Sequence, residues 1–181
     1  MDTKQNMYLF KALDAYPYDL EQAIEALEYA LSYEPENAQA LFLMGRVYSE
    51  QLQDFETAKS YFEEALAQDM ALPRLYVYYT YVLIANEDFE EASKLLDFAK
   101  TRKGLDQAQM HYLEGLIHEH KADLKRAKQA YKLARMLSVN NSFRGYLNSE
   151  LDRIKDKEPK KKTKKKKKKK KSKNKKKKGD K

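Results

Sequence analysis

The sequence predicts an all-α protein: a solenoid of about four stacked helix–turn–helix units, one terminal helix, and a segment that cannot fold. Three observations predict it. A twelve-residue pattern recurs four times at intervals of 35, 34 and 35 residues. Apolar residues keep helical spacing of three and four up to Ile154. The last 27 residues hold 19 lysines against three acids and almost nothing able to pack.

The recurring pattern starts at Asp19, Asp54, Asp88 and Asp123 ("DLEQAIEALEYA", "DFETAKSYFEEA", "DFEEASKLLDFA", "DLKRAKQAYKLA"). An aspartate at a helix start accepts a hydrogen bond from a free backbone N–H and suits the positive end of the helix dipole. Glu91 and Gln22 stand where they would complete capping boxes after Asp88 and Asp19. The fifth place is always alanine (Ala23, Ala58, Ala92, Ala127), as is the twelfth (Ala30, Ala65, Ala99, Ala134). The ninth is large: Leu27, Phe62, Leu96, Tyr131. Those places share one helical face, where alanine lets a neighbouring helix come close and the large residue fills the space beside it. Ahead of each pattern lies another apolar helical stretch, as in "NAQALFLMGRVYSEQ", "RLYVYYTYVLIA" and "AQMHYLEGLIHEH". Each unit is therefore helix A, turn, helix B, and stacking must supply the core that no unit builds alone. After Asn140-Asn141, the spacing of Phe143, Tyr146, Leu147, Leu151 and Ile154 predicts a helix that covers the end of the stack.

This arrangement resembles the tetratricopeptide repeat, a 34-residue helix–turn–helix unit. The likeness covers residues 3 to about 140 and implies a right-handed α-solenoid. Its small residue in mid helix A corresponds to Gly45, Thr80 and Gly115, and Pro35 stands where the family has a proline after helix B. The first unit departs, with Lys11 at the small position and Pro17 ending helix A early. The second unit carries one extra residue, expected in its turn, and Pro73 lies about one position into the third. The resulting division is a repeat array over 1–140 (units about 3–36, 37–71, 72–106 and 107–140), a capping helix over 141–155 and a disordered lysine tail over 156–181.

The resemblance also implies a concave groove lined by helix A. Its register gives Tyr8, Phe42, Arg46, Arg74, Val77, Tyr81, Tyr112 and Leu116 as peptide-groove residues, with Tyr81 and Tyr112 facing the groove and Tyr76 and Tyr79 packing between helices. The residues with which co-chaperone repeats clamp a C-terminal carboxylate are absent: the matching places are Phe42, Arg46, Tyr78, Gln109 and Leu113.

Charge divides the chain. Residues 1–99 carry a net −13, residues 100–154 a net +5 and residues 155–181 a net +16. Lys160, Lys161, Lys162, Lys164, Lys165, Lys166, Lys167, Lys168, Lys169, Lys170 and Lys171 form the densest run and suit an anionic partner. Without interleaved aromatics or arginines, such a run attracts phosphate but does not read bases.

With no cysteine, disulfides, thiolate catalysis and Cys-ligated zinc are excluded. His111, His118 and His120 lack zincin spacing and read as packing residues. No catalytic constellation, cofactor site or small-molecule site emerges. No apolar run is long enough to span a bilayer. The expectation is a cytoplasmic protein, or a nuclear one should the lysines serve as an address. It would act as a scaffold holding a protein or peptide ligand in its groove and an anionic partner on its tail. The alternative is a nucleic-acid- or ribosome-associated protein that binds chiefly through the tail.

Overall fold

The computed structural model describes residues 3–157. Among the described residues nine α-helices run in order: α1 Thr3–Ala15, α2 Leu20–Tyr33, α3 Ala38–Arg46, α4 Phe55–Gln68, α5 Pro73–Ala85, α6 Phe89–Lys100, α7 Gln107–His120, α8 Leu124–Leu137 and α9 Asn141–Lys157. No strand occurs among the described residues. Helices pack in antiparallel A/B pairs (α1/α2, α3/α4, α5/α6, α7/α8), and α9 lies against the last pair. The chain is an α-solenoid of four such pairs with a capping helix. Of the tail expected over 156–181, Asp156 and Lys157 instead belong to α9, and the rest lies outside the described residues.

Every helix B begins one residue after its aspartate. Asp19, Asp54 and Asp123 accept from the backbone N–H three residues on, at 3.0, 3.1 and 3.0 Å. Asp88 does not cap in this way, and the capping box expected with Glu91 is not formed. Lys59 of α4 takes both carboxylates, at 2.9 Å to Asp88 and 2.6 Å to Glu91, and Asn86 also bonds Asp88. That aspartate thus ties the second unit to the third. Asn37 and Asp106 cap α3 and α7.

The three later units turn from helix A to helix B through one left-handed residue each: Gln53, Glu87 and Ala122. The next N–H bonds back into helix A, as in Asp88 N to Leu83 O and Asp123 N to His118 O, both 2.8 Å. The extra residue of the second unit is not in this turn. It is absorbed upstream, where α3 continues as a π-helix over Val47–Leu52. An i→i+5 turn holds one more residue than an α-turn, so the insertion widens the helix and leaves the turn intact.

Close approach within each pair rests on the small residue of helix A. A Cβ at Gly45 would lie 2.6 Å from the Phe62 ring, and one at Gly115 would lie 2.3 Å from Tyr131. The third unit holds Thr80 and Leu96 at the same places, both buried, and the Thr80 hydroxyl bonds Tyr76 O at 2.6 Å. In the first unit Ala12, fully buried, takes this role, whereas Lys11 is exposed. The expected register of α1 was therefore one residue out.

Helix α9 buries Leu147, Leu151 and Ile154 and is fastened by charge. Glu119 of α7, 9 % exposed, receives Arg153, Lys157 (2.7 Å) and the Tyr131 hydroxyl (2.9 Å). Burial alone would raise its carboxyl, but the bonds from Arg153, Lys157 and Tyr131 win and hold it at about 2.

Two predictions follow from these contacts. Gly45→Ala and Gly115→Ala each destabilise by about 1–3 kcal/mol. Gly145→Ala, in mid α9 with nothing within 4 Å of the new methyl, stabilises by up to about 1 kcal/mol; thermal melts of the three variants check the opposite signs. The second concerns acid. Because the Glu119 carboxyl is depressed from 4.5, its contribution is complete above that value and is lost as pH falls toward 2. Hydrogen exchange should show α9 amides losing protection over that window, and Glu119→Gln should remove most of the pH dependence while weakening α9 at neutral pH.

Candidate peptide groove

Helices α1, α3 and α5 together line a groove enclosing about 410 Å³. Its apolar wall is Leu9 and Leu13 of α1, Phe42 and Leu43 of α3, and Leu72 and Pro73 at the head of α5. Its polar groups are Gln39, Arg46 and Arg74. Three of the residues expected there, Phe42, Arg46 and Arg74, do converge on it. Four of the lining residues fall three residues before or one after the small residue of their helix A. Phe42 and Arg46 bracket Gly45 in that way, and Leu9 and Leu13 bracket Ala12.

That spacing explains the misplacement of Tyr8. Counted from Lys11, it would enter the groove. Counted from Ala12, it falls beside the groove, and its ring stacks on Tyr29 and Tyr33 of α2 at 5.2 and 5.8 Å. Leu9 and Leu13 were missed for the same reason. The buried alanine four residues before Tyr16 was the signal that could have found them.

Arg46 is the most constrained polar group in the groove. Its guanidinium lies between the rings of Tyr16 and Tyr78, at 4.8 and 4.7 Å from their centroids. Glu50, one helical turn on, pairs with it at 3.0 Å and also accepts the Tyr16 hydroxyl. Burial tends to discharge Arg46, but the Glu50 bond outweighs it and the net pKa lies above the ordinary arginine value. Burial, and then the same carboxylate, pushes the Tyr16 phenol up. The Arg46 Nε is buried without a hydrogen-bond partner.

Past Tyr78 the groove changes character. Tyr81 is 40 % exposed, as expected, whereas Tyr112 is only 7 % exposed. The expected exposure of Tyr112 is corrected by α9. Phe143 and Tyr146 close edge-on over its ring at 5.7 and 5.6 Å, Tyr131 stacks beneath at 5.7 Å, and its hydroxyl bonds that of Tyr146 at 2.8 Å. Burial, then the Tyr146 bond, drives the Tyr112 phenol far above its ordinary range; burial also raises Tyr81, against a hydrogen bond with Tyr112. Both rings are neutral hydroxyl carriers at physiological pH. Val77 and Leu116 are half-buried against the core. Tyr76 and Tyr79 are buried between helices, where Tyr79 reaches Glu63 and Glu91.

Two of the three histidines have local side-chain partners. His111 Nδ1 lies 2.9 Å from Glu114, which also pairs with Lys100, and His120 packs on Phe89. Among the described residues no group of three or more His, Cys, Asp or Glu is placed to hold a metal. No described helix is long and apolar enough to cross a membrane.

Antiparallel pairs stacked in one direction, with a groove lined by the A helices of the first three units, define a helical-repeat scaffold for protein–protein interaction. The chain belongs to the tetratricopeptide repeat family: two models of that repeat match residues 19–73 and 51–117, together more than half of its length. The fold is shared with a solved structure described as a functional characterization of Pseudomonas aeruginosa PilF. The identity is 22 % and the TM-score 0.72, over 85 % of this chain and 68 % of that one. MamA (residues 41 to the end) from Desulfovibrio magneticus RS-1 is 21 % identical at TM-score 0.67, covering 86 % of this chain and 89 % of its own. The MamA RS-1 ArsTM double mutant is 16 % identical at the same score, covering 87 % and 97 %. No curated protein matches the sequence.

The two tyrosines should separate cleanly. Tyr112→Ala should cost about 3–5 kcal/mol by opening a cavity under α9. Tyr81→Ala, on the exposed wall, should cost less than about 1 kcal/mol; urea unfolding of both variants makes the comparison.

Proposed function

We propose that the chain is a non-enzymatic adaptor. Its α1–α3–α5 groove holds an apolar peptide or one face of an amphipathic helix, and its lysine tail attaches to an anionic partner. The supporting observation is the groove itself. Leucine, phenylalanine and proline form its walls, and Arg46, fixed between two rings, lines it beside Arg74. Aliphatic ligand side chains suit Leu9, Leu13 and Phe42; a ligand carbonyl or carboxylate suits Arg46 and Arg74.

The test begins with peptides selected from a random display library against the full chain, followed by calorimetry. Leu13→Asp and Phe42→Ala should each weaken a selected peptide at least about tenfold, a loss of about 1.4 kcal/mol or more. Tyr146→Ser, outside this groove, should change nothing. Equal loss from all three would remove the site from the groove.

The tail supports the second reading, attachment to nucleic acid or a ribosome, through its 18 lysines against three acids. Affinity for RNA or DNA oligomers should then be sequence-blind. With roughly six to ten phosphates contacted, it should fall about 10³–10⁵-fold between 50 and 200 mM salt. Truncation at Glu158 should abolish it, because residues 1–99 repel phosphate; unchanged binding by the truncated chain would place the site on the repeats.

A further inference from the structure

The convex surface changes sign at the last repeat. Helices α2, α4 and α6 carry glutamates and aspartates in their sequences, three or more each. Helix α8, "LKRAKQAYKLARML", has five basic residues and no acid. Ala127, Ala130, Tyr131 and Ala134 face its core. On the opposite side, and at the corner leading to α9, aliphatic side chains stand out: Leu133 is 44 % exposed, Met136 76 %, Leu137 49 % and Val139 97 %. Lys125 and Lys132 of α8 and Arg144 of α9 are exposed as well.

Each feature narrows the occupant. A second copy of this face would oppose cation to cation. Nucleic acid would satisfy the lysines but offer nothing to Met136 and Val139. Met136 and Val139 are largely exposed, so they suit a soft surface that accepts projecting side chains. A bilayer with acidic headgroups supplies both the charge and the apolar depth.

We propose that the outer face of α8 and the α8–α9 corner dock peripherally on an anionic phospholipid bilayer. Met136, Leu137 and Val139 enter the headgroup–acyl boundary, and Lys125, Lys132 and Arg144 sit among the phosphates.

The full chain is sedimented with phosphatidylcholine vesicles and with vesicles one-quarter phosphatidylglycerol. Binding is expected to the second only. Met136→Ser with Val139→Ser leaves charge unchanged and both sites were exposed, so circular dichroism should be unaltered; partitioning should drop roughly 10–100-fold. Since the chain has no cysteine, an environment-sensitive dye on Val139→Cys reports burial directly, and its emission should shift blue on anionic vesicles alone. Unchanged partitioning of the double variant would overturn the proposal by assigning all attraction to the tail. Absence of vesicle binding would overturn it outright. So would concentration-dependent dimerisation, or oligonucleotide binding, that the double variant loses while vesicle binding stays the same.

Discussion

The distance between helix A and helix B of each pair governs the rest of the molecule. Gly45 against Phe62 and Gly115 against Tyr131 leave no room for even a methyl group. Close packing of that kind fixes rotation as well as separation, because a helix that turned would drive a neighbouring side chain into the ring. Once rotation is fixed, the residues three before and one after the small position are aimed at the concave side. The groove is thus a by-product of core packing: Leu9 and Leu13, Phe42 and Arg46 point where Ala12 and Gly45 allow them to.

Charge then distinguishes positions that packing leaves alike. Arg46 occupies the same relative place as Leu13, Tyr81 and Leu116, but it is held by two rings and Glu50. Lys59 joins α4 to the start of α6, and Glu119 joins α7 to α9. These links cross unit boundaries, so the array is held by more than apolar contact between neighbours. A buried carboxylate satisfied by several donors fastens strongly because losing any donor leaves charge uncompensated.

Much of this was visible in the sequence where one residue type has one physical task. The four aspartates marked helix starts to within one residue, and the alanines marked the tight faces. The sequence was less informative where a task passes to a neighbour. Lys11 stands at the family's small position, yet Ala12 is what fits, since a lysine cannot lie against Leu27. Asp88 looked like its three counterparts, but Lys59 arrives from 29 residues away and claims its carboxylate. Tyr112 looked like a groove residue because nothing in its own helix announces that Phe143 and Tyr146 will cover it. Long-range pairing of this kind has no local periodicity to betray it.

The π-helical stretch after Gly45 has a further meaning. An inserted residue in a regular helix rotates everything downstream by about 100°, which here would carry α4 off its partner and misalign each later pair. Instead the surplus is spent locally as a bulge, and Asp54 still begins α4 in step with Asp88 and Asp123. The array therefore keeps phase by geometry rather than by residue count. A frame slip in one unit is corrected before the next begins, so a chain whose repeats differ in length still stacks as a single regular object.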